Sequence, residues 1–302
     1  VGMRFNLMVI VPPQFRFAHF LFDTVAFLHG ALTELGHDVC VRRNTLERDR
    51  MNVLCGVHLL TSRAEVDALL QSEAPFVVLQ TELVDPEGIN GDRSHRLSQV
   101  VLPLLREACA VWDSSEHNVE VLAKLGIRAE LLRFGYTNAV VAIDHGRRKD
   151  VDFFFCGSLT DHRRGILVEL GRLGYVVESR FDDAAFFRND LMARSEVILS
   201  LRQSHDSAHL PAARILHAVA NGCLVAGEGG APCPTVDDLF LRAPEGQLIE
   251  YLRCVRSDPR RRERARELQD RLRQRPMSAL IAPLVDALAS DSTPSSVREV
   301  AA

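Results

Sequence analysis

The chain has 302 residues, of which 47% are hydrophobic and 25% charged, with a formal net charge of −4. That length holds two domains of ordinary size, and the balanced charge, with no run of aromatics interleaved with basic residues, argues against a nucleic-acid partner. No stretch of 18 apolar residues occurs, and the opening VGMRFNLMVIVPP lacks the charged start and cleavage site of a signal peptide, so a cytoplasmic protein with no integral membrane segment is expected. The seven cysteines are odd in number, scattered and without a CxxC pair, and read as reduced core residues.

The first apolar run, FNLMVIV (residues 5–11), is rich in β-branched residues and closed by Pro12 and Pro13, which predicts a buried parallel strand. Phe20, Leu21, Val25, Leu28, Leu32 and Leu35 then recur at helical spacing, and Gly36 closes that helix before the strand DVCVRR. The alternation continues with MNVLCGVHLL as a strand, a helix over 64–70, the strand PFVVLQ, a helix over 97–106, the strand CAVWD and a helix from Ser115 to Lys124. Strands alternating with helices imply a parallel sheet covered on both faces.

Residues 144–150, DHGRRKD, carry charge without apolar periodicity and are the expected linker between a first domain, 3–143, and a second, 151–290. The second alternation runs through a strand at 152–156, a helix at 161–173, a strand at 175–179, a helix at 184–194, a strand at 196–201, a helix at 211–221 and a strand at 223–227. From Glu245 the chain reads as helical, and 291–302 reads as a disordered tail. The expected fold class is therefore α/β, with two doubly wound Rossmann-like domains facing a cleft and a helical C-terminus. Ligands of such sheets bind at the carboxyl ends of the strands, so the residues just past each strand are the candidates.

In the second domain, Gly157 and Ser158 end a strand, and Arg163 and Arg164 fall in the first turn of the next helix. Cations there oppose the helix dipole unless an anion compensates, and a phosphate would. Arg214 and His217 project from the helix opened by Pro211, and Glu228 follows the next strand in a Gly-rich turn. In the first domain His19, with Asp23 four residues on, follows the first strand. His58, Glu82 and Asp113 end later ones, and a histidine with a carboxylate in reach is the ordinary construction of a general base. No GxxxxGK[ST], strand-linked GxGxxG, GxSxG or HExxH occurs, and the pair Asp150 and Asp152 reads as the solvated start of a strand rather than a metal bridge.

The order of LHGALTELGHDVCV, VDFFFCGSLTDHRRGILVEL and RILHAVANGCLVAGE, together with NVLCGVHLL, PLLREACAVWDSSEHNVEVL and FGY, resembles small bacterial glycosyltransferase-like proteins of the GT-B fold over roughly residues 3–260. The resemblance implies a nucleoside diphosphate sugar held by the second domain and a small-molecule or glycan acceptor in the first. Gly157, Ser158, Arg163 and Arg164 would flank the diphosphate, and Arg214 and Glu228 the phosphate or ribose side. It implies no bound cofactor or metal, since arginines and a helix dipole stabilise the leaving group. Where the retaining subgroup carries two glutamates, this chain has His209 and His217. The inverting pattern would instead make His19 the base and Asp113 its orienting partner. A GT-B-like sugar-nucleotide epimerase and a non-catalytic nucleotide-sugar-binding protein are the competing readings.

Overall fold

A computed structural model describes residues 2–13, 20–89, 97–181, 183–205 and 210–291. In chain order the elements begin with β1 (Arg4–Val9), α1 (Phe20–Glu34), β2 (Asp38–Arg43), β3 (Met51–Cys55), α2 (Arg63–Leu70), β4 (Phe76–Gln80) and a short hairpin of β5 (Val84–Asp85) and β6 (Gly88–Ile89). Then come α3 (Leu102–Glu107), β7 (Ala110–Asp113), α4 (Glu116–Lys124) and β8 (Glu130–Leu131). The second series is β9 (Val151–Cys156), α5 (Asp161–Arg172), β10 (Val177–Arg180), α6 (Ala185–Arg194), β11 (Ser195–Ser200), α7 (Ala212–Ala220), β12 (Val225–Glu228) and β13 (Leu241–Ala243). Three helices follow, α8 (Leu248–Ser257), α9 (Arg261–Arg273) and α10 (Met277–Asp291).

The first sheet has the order β2-β1-β3-β4-β7-β8 and the second β10-β9-β11-β12-β13, with every pairing parallel. Both follow from the sequence pattern. β3 and β4 are buried along their whole length, as are Phe153, Phe154 and Phe155 of β9, which is what helices on both faces of a sheet demand. The helices start where the chain supplies acceptors for the first free N–H groups. Ser62 and Glu65 form a reciprocal capping box on α2, Ser115 caps α4, and Thr160 caps α5. In each sheet the first strand of the series lies between the second and third, so the topological switch falls beside β1 and β3 in one and beside β9 and β11 in the other.

Contacts divide the chain into two compact units. One comprises Val1–Pro12, Ala31–Arg133 and the chain from Ser278, the other Pro13–Gly30 and Phe134–Met277. The C-terminal helix α10 thus groups with the first sheet, whereas its place in the sequence suggested the second domain, and the first half of α1 groups with the second sheet. Residues 144–150, the expected linker, form no helix or strand. The expected tail beyond Asp291 lies outside the described residues.

Two local expectations are corrected. The run 51–60 is not one strand, because Gly56, in the left-handed region at φ 92°, turns the chain into a single 3₁₀ turn at Val57–Leu59. The helix over 97–106 opens as a π turn at Leu97–Val101 before α3. All seven cysteines are free, but only Cys55 and Cys223 are buried in the core; Cys40, Cys156 and Cys233 are half-buried, and Cys109 and Cys254 are exposed. Among the described residues no helix is long and apolar enough to cross a membrane.

Candidate functional site

In the second unit, polar groups collect at the carboxyl ends of β9, β11 and β12. Gly157 follows β9 directly, and a Cβ there would lie 2.9 Å from Nη1 of Arg214 and 3.0 Å from Cζ of Phe155. Glycine is what lets the Arg214 guanidinium rest against this backbone. Arg214 stands in the first turn of α7 with its guanidinium 5.8 Å from the centre of the Phe155 ring, and its Nη1 is buried without a hydrogen-bond partner among the described residues. Burial lowers its pKa, and the nearby Arg188 adds to that, but an arginine remains a cation at neutral pH. A buried guanidinium with unspent donors is a site waiting for an anion.

Arg163 plays a different part from the one its sequence position suggested. It is 7% exposed, and its donors go to the chain itself: Nη1 to the carbonyl and hydroxyl of Ser158 (2.9 and 3.0 Å), Nη2 to the carbonyl of Leu201 (3.0 Å) and Nε to that of Arg202 (2.9 Å). Burial, with Arg214 beside it, brings its pKa down to about 10. With its fork spent on backbone carbonyls, Arg163 staples the turn after β9 to the loop after β11 rather than gripping a diphosphate. Ser158 is one of its acceptors. Arg164 is exposed on α5.

Glu228 ends β12 and is 8% exposed. Nε2 of His162, in the first turn of α5, lies 2.9 and 3.0 Å from its two oxygens, the backbone N–H of Arg202 donates at 2.7 Å, and Nε of Arg202 stands 3.5 Å away. Nδ1 of His162 is in turn 3.2 Å from Nε2 of His205. Glu228 is therefore engaged by protein donors at both of its oxygens.

His217, 5% exposed, belongs to a third cluster. Arg188 makes a bidentate ion pair with Asp23 (2.6 and 2.9 Å), and its Nη2 lies 3.1 Å from Nε2 of His217. Because the guanidinium only donates, Nε2 must accept, and the remaining proton sits on Nδ1, 3.6 Å from Asp23. Burial, opposed by Asp23, drives the His217 pKa down to about 4, so the ring is neutral. Sequence reasoning placed His217 at a ligand, whereas here it completes a buried polar network with Arg188 and Asp23.

In the first unit, His58 lies in the 3₁₀ turn after β3, with Nε2 3.6 Å from Oε1 of Glu82. Glu82 is fixed by its backbone. Gln80 and Asn118 both donate to its carbonyl (3.0 and 2.7 Å), and Asn118 also accepts from the N–H of Val84 (2.9 Å). Asp113 is 0% exposed and holds Asn118 at 3.1 Å while accepting from the N–H of Ser115 at 2.8 Å. Burial outweighs these donors and pushes its pKa up to about 7. Asp113 thus anchors the loop that carries Glu82; its expected pairing with His19 falls on a residue outside the described ones. His19 and His209 lie outside the described residues.

The structure brings together Gly157, Ser158, Arg163, Arg214 and Glu228 in one unit and His58, Glu82 and Asp113 in the other. Sequence reading passed over His162, Arg202 and His205, although the strand-end rule that selected Glu228 applies equally to the loop after β11. It also passed over Arg188, which no local signal marks. Among the described residues no group of three or more His, Cys, Asp or Glu is arranged to hold a metal ion.

No family model and no curated protein sequence matches the chain. Solved structures do. AviGT4, a glycosyltransferase involved in avilamycin A biosynthesis, superposes with a TM-score of 0.57 at 14% identity over 95% of this chain and 97% of its own. T4 phage BGT, solved in complex with its UDP-glucose substrate, gives 0.55 at 10% identity over 95% and 99%. A UDP-N-acetylglucosamine 2-epimerase gives 0.51 at 10% over 96% and 98%. Similarity at such identities is a similarity of fold, and with two all-parallel sheets of Rossmann-like order it establishes that the chain adopts the α/β architecture of the GT-B class.

Proposed function

We propose that the chain is a glycosyltransferase that takes a sugar from a nucleoside diphosphate donor bound by the second unit and passes it to a small-molecule or glycan acceptor. The observation that carries this reading is Arg214. A guanidinium held against Gly157 at the switch point of a parallel sheet, with a buried Nη1 that has no partner among the described residues, offers a fixed positive charge to a diphosphate. The solved neighbours support it: one is a glycosyltransferase and another holds UDP-glucose as its substrate.

On this reading the bond between the sugar and the β-phosphate breaks with its electron pair on oxygen, and Arg214 stabilises the charge that develops there. Arg163 acts one step removed, fixing the turn at Ser158. On the acceptor side, His58 with Glu82 takes the proton of the attacking hydroxyl, and Asp113 acts through Asn118 to position Glu82. The arginine makes catalysis independent of a metal ion, and the setting is the bacterial cytoplasm.

The epimerase neighbour supports a second reading in which the donor alone is converted. Incubation with UDP-glucose, UDP-N-acetylglucosamine and dTDP-glucose in the presence of a chelator, with and without an acceptor panel, separates the two. Donor consumption that requires acceptor supports transfer, and conversion without acceptor supports epimerisation. Binding without turnover under every condition would leave only a binding protein.

A further inference from the structure

The hydrogen bonds around Glu228 run in one direction. A carboxylate only accepts, so the proton between it and His162 sits on Nε2, 2.9 and 3.0 Å from the two oxygens. Nδ1 of a neutral His162 is then a lone pair, and His205 must supply the proton of the next bond from its own Nε2, at 3.2 Å. The two rings meet edge to face, with centroids 4.2 Å apart. What is left at the open end is Nδ1 of His205, on an exposed side chain.

That end is tied to the anion site. Arg163 bonds at once to Ser158 and to the carbonyls of Leu201 and Arg202, so the loop bearing His205 is pinned to the turn on which Arg214 rests. The guanidinium groups of Arg163 and Arg214 lie 5.2 and 5.8 Å from the same Phe155 ring. Resting on the donor-site reading above, we infer that His205 is a catalytic acid for the departing diphosphate, with His162 and Glu228 as the positioning residues that hold its tautomer.

The step balances simply. Protonated His205 carries hydrogen on both ring nitrogens. As the sugar–oxygen bond breaks, the β-phosphate oxygen keeps the electron pair and takes the Nδ1 proton. His205 returns to its neutral Nε2–H form, still donating to His162, and regains a proton from solvent once the nucleotide leaves. The incoming diphosphate brings negative charge to the open end of the series, so its binding draws a proton onto His205; the cation of Arg202 lies at the inner end, 3.5 Å from Glu228.

Calorimetric titration with UDP and with inorganic pyrophosphate, repeated at pH 7 in buffers of different ionisation enthalpy, reads that proton directly. The wild type is expected to take up a fraction approaching about one proton per bound diphosphate more than His205→Gln does. Glu228→Gln is expected to lower uptake in the same sense, and the ¹⁵N shifts of the His162 ring should report loss of its Nε2–H tautomer. His205 is exposed, so its variant tests the idea without threatening the fold. Unchanged uptake in His205→Gln, with diphosphate still bound, overturns the relay and leaves the Arg214 site standing. Wild-type uptake in Glu228→Gln would break the series at its inner end. Failure of the wild type to bind either probe removes the donor site and the relay with it.

Discussion

The two sheets share a strand order, but the polar groups at their carboxyl ends are provided for in opposite ways. In the first unit, Asp113 and Asn118 bond to one another and to the loop at Glu82, Gln80 donates to the same loop while its Oε1 is left without a partner among the described residues, and burial favours the neutral acid of Asp113. In the second unit, Arg163, Arg188 and Arg214 stand near the strand ends; Arg163 and Arg188 are spent on carbonyls and on Asp23, while Nη1 of Arg214 has no partner among the described residues. The lesson is that a shared topology locates both sites, and the accounting of donors and acceptors separates the strand-end arginines that are spent within the chain from Arg214, which keeps a donor free.

That contrast can be broken at several points. The largest expected effect is on stability. Asp23→Ala leaves Arg188 buried beside a neutral histidine and should cost about 3–5 kcal/mol, read by urea unfolding. Next comes Arg214→Ala, which should leave stability within about 1 kcal/mol of wild type, since among the described residues it costs a contact with the Phe155 ring but no hydrogen bond. It should weaken nucleoside diphosphate binding on the order of 100-fold.

The pH dependence separates the units by sign. The His217 pKa is about 4 when folded against 6.5 for a free histidine, so over that interval the unfolded chain binds more protons and stability falls as pH is lowered. Asp113 runs the other way. Its pKa is about 7 when folded against 3.8, so the folded chain binds more protons, and stability falls as pH rises from 3.8 towards 7. Stability–pH curves of His217→Gln and Asp113→Asn should each lose one of these opposed slopes, and curves that match the wild type would refute the corresponding assignment. The smallest effect is expected at Arg164, where the exposed Arg164→Ala should change stability by no more than about 0.5 kcal/mol.

Much of the fold was legible because apolar periodicity and caps are local. The strand at 38–43 and the helices from Ser115 and Thr160 end close to where their residues say they should. β13 escaped notice because three residues carry no period, and α10 was given to the wrong unit because sequence order says nothing about which core a helix covers. The site was legible in its location but not in its roles. Arg163 and Arg164 look alike along the chain, and what distinguishes them is a set of carbonyls 38 and 39 residues further on. His162 sits between the N-cap and those arginines, yet its role depends on Glu228, 66 residues away.

The most direct test compares the affinities of UDP and uridine, or of the corresponding pair for whichever base binds best, in wild type and Arg214→Ala without divalent metal. The account predicts that the diphosphate adds strongly to affinity in the wild type, and that the substitution removes most of that gain while leaving nucleoside binding alone. An equal gain in both proteins would contradict the account, because the charge that holds the leaving group would then lie elsewhere.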